Sequence, residues 1–418
     1  MHFQWRPDAP PPPVEEHSKA KLTVLRSYLR AYFDRLNVDP RREQFKLDLV
    51  DGFAGGGTFR DGDEIVSGTP LTMLEEAEAA RDRINRGRTK PLRFDCKYYF
   101  VDKEATHTAH LRRALTDRGY QVDGGVIVVR NGRFEDEADG IIAEIHRRQP
   151  RSGRAIFLLD QTGFSQVALE LVARIFRELP AAEIILTFAA DALVNHLSMK
   201  PALIKSAAPL ELTEAQIQEL IEYRDHDGGR ALIQRVLRPH IRSVVGSTYD
   251  TPFFIRPRRS RRALWFLHLS SHPTARDVMI QRHWDVHNTF EHYGPGDFGM
   301  LGWDALQPGA LPLFHFEDLE ARRMREQLLD PMARELFGLA SKSPITVDEM
   351  RCRLANRTAA RFTDLDAVVL RLRQEREIEI RDSGGKVRSR PLTRLQSDDR
   401  IAVPETLLLP MREISRLR

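Results

Sequence analysis

Cysteine is nearly absent from this chain, which has two in 418 residues, Cys96 and Cys352, far apart. That scarcity excludes a disulfide framework and a cysteine zinc site, and it suits a reducing, cytoplasmic setting. No apolar run approaches the ~20 residues needed to cross a bilayer, so no membrane role is expected. The N-terminal stretch MHFQWRPDAPPPPVEEH lacks the charged-then-apolar order of a signal peptide. A dominant charge is also missing. Lys plus Arg number 64 against 60 Asp plus Glu, a formal charge of +4, which over this length says little about a nucleic-acid partner. No internal repeat is found.

What is present is a strong alternation of strand and helix patterns. After a proline-rich tail (residues 1–16), KAKLTVLRSYLRAYFDRL spaces Leu22, Leu25, Leu29, Phe33 and Leu36 on one helical face. FKLDLVD, CKYYFVD, GVIVVRNG, RAIFLLD and AEIILTF then read as five strands, with a helical pattern after each of the first four. These strands are continuous apolar runs, as expected of parallel strands buried on both faces. The pattern predicts a doubly wound, Rossmann-like α/β sheet. Residues 190–245 read as a helical insertion after the fifth strand. TPFFIRP and RALWFLHLS follow as a β-hairpin that would add antiparallel strands to the sheet edge, the arrangement of class I methyltransferases. This domain is expected to span 17–330. From 331 to 418, two helical patterns and a hairpin with DSGG at its turn suggest a small winged-helix-like domain.

The first strand ends in DGFAGGG. A P-loop would need a lysine after its last glycine, but Thr58 follows Gly57. A dinucleotide fingerprint would need a third glycine where Arg60 stands, which disfavours nicotinamide binding. The spacing fits D-x-F-x-G-x-G, through Asp51, Phe53, Gly55 and Gly57, the S-adenosylmethionine loop of many class I methyltransferases. A carboxylate here suits a cationic sulfonium ligand and would repel a pyrophosphate. Asp51, Gly52, Phe53, Ala54, Gly55 and Gly57 are therefore candidate cofactor-binding residues. So are Asp102, an acid at the end of the second strand, and Phe134 and Glu135 after the third, where a ring could stack on adenine and a carboxylate could accept from it.

The fourth strand ends in Asp160, Gln161, Thr162, Gly163 and Phe164. Asp160 and Gln161 could orient an amine or hydroxyl nucleophile, with Phe164 the nearest aromatic, but the proline pair of amino-group base methyltransferases is missing. A cytosine-C5 mechanism is excluded because this loop has no cysteine nucleophile. RPRRSRR places Arg256, Arg258, Arg259, Arg261 and Arg262 at the hairpin turn, a phosphate-binding candidate whose alternative is a solvated turn or a dock for an acidic protein. His283, His287 and His292 lack the glutamate of a zincin site, and no metal is expected.

With its helical lead-in KAKLTVLRSYLRAYF, then DGFAGGG, SGTPLTML, FLLDQTGFS and SSHPTARDVMIQRHW, the chain resembles the three-Cys-motif partner (TcmP) family over roughly residues 17–305. The resemblance implies a methyltransferase-like fold working with a separately encoded protein that carries a three-cysteine motif. With two cysteines, this chain would be the partner of that protein. The expected function is S-adenosylmethionine-dependent methyl transfer to nucleic acid. A rival from another class is a non-catalytic nucleic-acid- or protein-binding module that kept the fold.

Overall fold

A computed structural model describes residues 3–6, 9–161, 163, 165–189, 193, 207–224, 229–255, 264–286, 290–293, 313–314 and 318–404. The chain divides into two units, Met1–Phe290 and Glu291–Arg418.

In the first unit, helix α1 (Glu16–Leu36) precedes β1 (Gln44–Asp51) and a short antiparallel hairpin, β2 (Thr58–Asp61) with β3 (Glu64–Ser67). Then come α2 (Thr69–Asn85), β4 (Arg93–Asp102), α3 (Ala105–Asp117), β5 (Ile127–Asn131) and α4 (Phe134–Arg148). They are followed by β6 (Ala155–Leu159), α5 (Leu169–Glu178), β7 (Ala182–Phe188), α6 (Glu214–Arg224) and α7 (Gly229–Val245). The unit closes with β8 (Tyr249–Ile255), β9 (Leu264–Ser270) and α8 (Pro273–Val286).

The central strands run in the order β8-β9-β7-β6-β1-β4-β5. All neighbours from β7 to β5 pair parallel, whereas β9 is antiparallel to both β7 and β8. The expected doubly wound sheet and its closing hairpin are both present. Helix α1 packs on α2 and α8, and α5 packs on α4 and α7. Two helical layers thus sandwich the sheet, which is why β6 and β7 are buried along their whole length. The chain leaves β1 toward β4 and β5 on one side and returns through β6 and β7 on the other. The topological switch point therefore lies between β1 and β6, where α/β sheets hold ligands beyond their carboxyl ends.

The hairpin β2–β3 was not foreseen. Its turn at Gly62, with φ of +61°, follows the D-G-D signal that favours two-residue hairpin turns. The proline-rich tail pairs with this hairpin. Arg60 N donates to Pro12 O at 2.9 Å and Val14 N donates to Arg60 O at 2.8 Å, so residues 12–14 lie along β2.

In the second unit, β10 (Phe290–Tyr293), whose first residue closes the first unit, pairs antiparallel with β11 (Leu313–Phe314). Helix α9 (Asp318–Ala340) runs through Pro331, so the boundary expected between 330 and 331 falls inside one continuous helix. Next come β12 (Ile345–Thr346), α10 (Val347–Leu354), α11 (Phe362–Gln374), β13 (Glu379–Arg381) and β14 (Arg400–Ala402), with sheet order β12-β14-β13. Thr346 caps α10 by accepting from Glu349 N, and Arg361 N donates to Asp364 at the start of α11. The turn after β13 sits at DSGG as expected. Its return is limited to one bridge, Arg381 to Val387, and the true partner of β13 is β14.

Candidate functional site

Three acids end three adjacent strands: Asp160 just past β6, Asp51 at the tip of β1 and Asp102 at the tip of β4. Their surroundings make them chemically different. Asp51 is buried; its Oδ1 accepts from Phe53 N at 3.0 Å, and its Oδ2 is buried with no hydrogen-bond partner. Burial, reinforced by the charges of Asp160 and Asp102, pushes its carboxyl up to about 8. Burial thus favours the protonated form of Asp51. An unpartnered buried oxygen at a switch point marks a place where a polar ligand group would fit.

Asp160 is held the other way. Burial alone would raise its carboxyl, but the Lys21 ammonium from α1 donates to Oδ2 and keeps it below its ordinary value. The Lys21 side chain is 14% exposed and that of Asp160 33%. One turn before Lys21, His17 lies 3.1 Å from Glu15, and burial followed by the Lys21 charge lowers its pKa. The two neighbouring carboxyls are thus pushed in opposite directions, the separation that allows them to take different roles.

Asp102 organises the glycine loop. Its Oδ2 accepts from Gly55 N at 2.9 Å, and Oδ1 accepts from Glu104 N at 2.9 Å, with His107 Nδ1 3.0 Å away. A carboxylate has about four lone-pair directions, so ribose hydroxyls could share it with these donors.

The glycines are enclosed by the chain's own side chains. A Cβ on Gly52 would stand 2.9 Å from Phe134 and Leu159, and one on Gly57 would overlap Leu111. At Gly55, with φ of +57°, a Cβ would come within 2.8 Å of the indole of Trp5, and at Gly56 it would run into the indole's Cγ. Phe53 and Ala54 complete the loop, with Ala54 N donating to Val101 O at 2.9 Å.

Other expected residues are placed differently. Phe134 begins α4 with its ring in the core between Phe53 and Phe157, 1% exposed, so it offers no face for stacking on a base. Its apolar ring gains more from core burial than from an exposed seat. Glu135 keeps a buried Oε1 without a hydrogen-bond partner, beside Arg133 at 3.7 Å. Gln161 does not face an acceptor. It is buried, and its Oε1 accepts from Gln166 N at 2.9 Å and Val167 N at 3.1 Å, because a buried amide oxygen satisfies the nearest backbone donors. Phe164, His287 and all five arginines from Arg256 to Arg262 lie outside the described residues. Among the described residues, no cluster of three or more His, Cys, Asp or Glu that could hold a metal comes together. No described helix is long and apolar enough to cross a membrane.

Lys21, His107 and Trp5 were not foreseen. Lys21 reaches Asp160 across 139 residues of sequence, and no local spacing could reveal that. Trp5 had a signal, since two aromatics in FQW are unusual for a tail meant to remain in water.

No protein-family model matches the chain, and no curated protein does. Among solved structures, a Legionella pneumophila protein of the family model DUF519 aligns at 12% identity over 62% of this chain and 85% of its own, with a TM-score of 0.31. Trm1 from Pyrococcus horikoshii, solved with S-adenosyl-L-methionine, aligns at 12% over 78% of this chain and 76% of its own, with a TM-score of 0.31. The plantazolicin methyltransferase BamL, solved with SAH and a triazolic desmethylPZN analog, aligns at 12% over 62% of this chain and 87% of its own, with a TM-score of 0.26. At these scores the likeness adds no functional weight. The methyltransferase-like assignment of the fold rests on the strand order and on the antiparallel β9 between β7 and β8.

Proposed function

We propose that the chain is a three-Cys-motif partner protein whose first unit binds S-adenosylmethionine and transfers its methyl group to nucleic acid, together with a separately encoded three-cysteine protein. The observation that carries the cofactor reading is Asp51, a buried acid at the switch point with one unpartnered oxygen and a carboxyl pushed up to about 8. A cationic ligand group stabilises the ionised form of such a carboxyl and takes the vacant acceptor.

S-adenosylmethionine would supply an electrophilic methyl on a positively charged sulfur. Asp51 would hold the ligand's ammonium, and the backbone of Gly52, Phe53, Ala54, Gly55 and Gly57 would shape the loop around it. Asp102 would accept from the ribose hydroxyls while fixing Gly55. Asp160, kept ionised by Lys21, would accept a hydrogen bond from an amine or hydroxyl acceptor and keep its lone pair available. Such a transfer asks mainly for alignment, so the missing proline pair bears on the acceptor's identity more than on the reaction.

Nucleic acid as acceptor is supported by the five arginines of RPRRSRR, residues 256–262 of the sequence. In the second unit, the order of helix, strand, helix, helix, strand and strand, with β14 between β12 and β13, supports the winged-helix reading. A second reading, a binding module that kept the fold, is favoured by Gln161, which the loop backbone has taken up.

The test is calorimetric titration with S-adenosylmethionine and S-adenosylhomocysteine, followed by transfer of radiolabelled methyl to DNA and RNA with and without the three-cysteine protein. Micromolar binding, weakened at least tenfold by Asp102→Ala, is the expected result. Unchanged affinity in that variant removes the ribose role. A folded protein that binds neither ligand at millimolar concentration leaves the binding-module reading.

A further inference from the structure

Trp5 fills the glycine loop as a ligand would. Its indole lies on the Gly55–Gly56 backbone, and its Nε1 donates to Thr58 O at 2.6 Å. The rings of Phe59 and His107 meet it edge-on, with centroids 5.3 and 4.9 Å away. The indole is 5% exposed. Four features therefore define one seat: a glycine surface without Cβ atoms, a carbonyl facing a ring N–H, and two aromatic edges. His107 also lies 3.0 Å from Asp102, so the seat adjoins the acid expected to hold a ribose.

We infer that this seat is a binding site for a flat, fused five- and six-membered heteroaromatic ring, a purine base, and that Trp5 is its resident occupant. Indole and purine share the same fused ring sizes, so a purine matches the space in area and thickness. The Thr58 carbonyl would accept from the exocyclic amino group of adenine, the one donor the N9-substituted base has, as it now accepts from the indole. Base stacking on a Cβ-free peptide surface also explains why glycine stands at Gly56, where any side chain would enter the seat; at Gly55 the φ of +57° favours glycine as well. The assignment moves the base away from Phe134, which is closed in the core, to the other side of the loop. It rests on the cofactor reading above and names where the adenine goes.

The tail's backbone pairing and its aromatic contacts lie apart along the chain. Its backbone bonds to β2 are at Pro12 and Val14, and Trp5 lies seven residues before Pro12, so the indole can swing out while residues 12–14 remain paired. A resident that holds the seat nine-tenths of the time or more weakens the apparent affinity of a competing ligand at least about tenfold.

The experiment titrates S-adenosylhomocysteine, and separately adenosine, into the full chain and into Trp5→Ala. Binding is read by calorimetry, and the Trp5 indole N–H is followed by nitrogen-15 NMR. The expected result is binding to the wild type with the indole resonance moving to its solvent position, and affinity at least tenfold tighter in Trp5→Ala. Binding to the wild type with the indole unmoved, or Trp5→Ala no tighter than wild type, overturns the seat and leaves the cofactor reading standing. If neither ligand binds either protein while both remain folded by circular dichroism, the seat and the cofactor reading fall together.

Discussion

Replacing Asp51 with Asn is expected to stabilise the protein. In the unfolded chain this carboxyl ionises near its ordinary 3.8, whereas burial in the fold pushes it up to about 8. Below the lower value both states hold the proton. Between the two values the unfolded chain binds fewer protons than the folded one, so stability falls as pH rises. A single group contributes about 1.4 kcal/mol per pH unit in that window, and the loss levels off above the upper value. At pH 7 the penalty is on the order of 4 kcal/mol, with little solvent screening because the side chain is 1% exposed. Asn keeps the Oδ1 acceptor for Phe53 N and has no charge to desolvate, so Asp51→Asn should match wild type near pH 4 and exceed it increasingly up to pH 8. Urea unfolding of both proteins at pH 4.5, 6, 7 and 8.5, followed by tryptophan fluorescence, measures the gap. A gap that does not widen with pH, or a variant less stable than wild type at pH 8.5, refutes the reasoning. A stability gain on removing an acid marks a position kept for something other than folding. Saturating S-adenosylmethionine should then raise wild-type stability and leave the variant nearly unmoved.

Arg148 pairs with Asp48, whose side chain has no solvent exposure, and with Asp95, so Arg148→Ala should cost about 3–5 kcal/mol in urea unfolding by stranding a buried acid. Gly56→Ala should drive the indole off the loop, seen as red-shifted tryptophan emission, and Trp5→Ala should relieve most of its destabilisation in a double-mutant cycle. The Cys96 thiol is pushed up to about 12 by burial, so at pH 8.5 it should react with iodoacetamide at least about 100-fold more slowly than a free thiol until the protein unfolds.

The sheet was legible because its signal is local and repeated. AIFLL and AEIILTF are buried at every position, and a run of that kind has few alternatives to a parallel strand covered on both faces. Asp51, Asp102 and Asp160 were legible for the same reason, since each directly follows such a run. What was not legible depends on distant partners. Asp160 reads as a plain strand-end acid until Lys21 arrives from α1, and Gln161 reads as a catalytic amide until two loop N–H groups claim it. The domain boundary expected between 330 and 331 also falls inside an element, since α9 continues through Pro331.

The glycine loop shows how one motif can satisfy two demands. Gly52 and Gly57 are required by the protein's own packing, because Phe134, Leu159 and Leu111 occupy the space a Cβ would need. Gly55 is required twice, by its φ of +57° and by the indole that lies on it, and Gly56 by the indole alone. The sequence pattern therefore carries half a statement about folding and half about a flat ring. Only the second half is exchangeable between Trp5 and a ligand. Substitutions divide accordingly: Gly52→Ala and Gly57→Ala should destabilise the fold whether or not Trp5 is present, whereas the cost of Gly56→Ala should largely vanish in the Trp5→Ala background. If removing Trp5 leaves the cost of Gly56→Ala intact, that glycine too serves packing alone, and the loop is a structural turn.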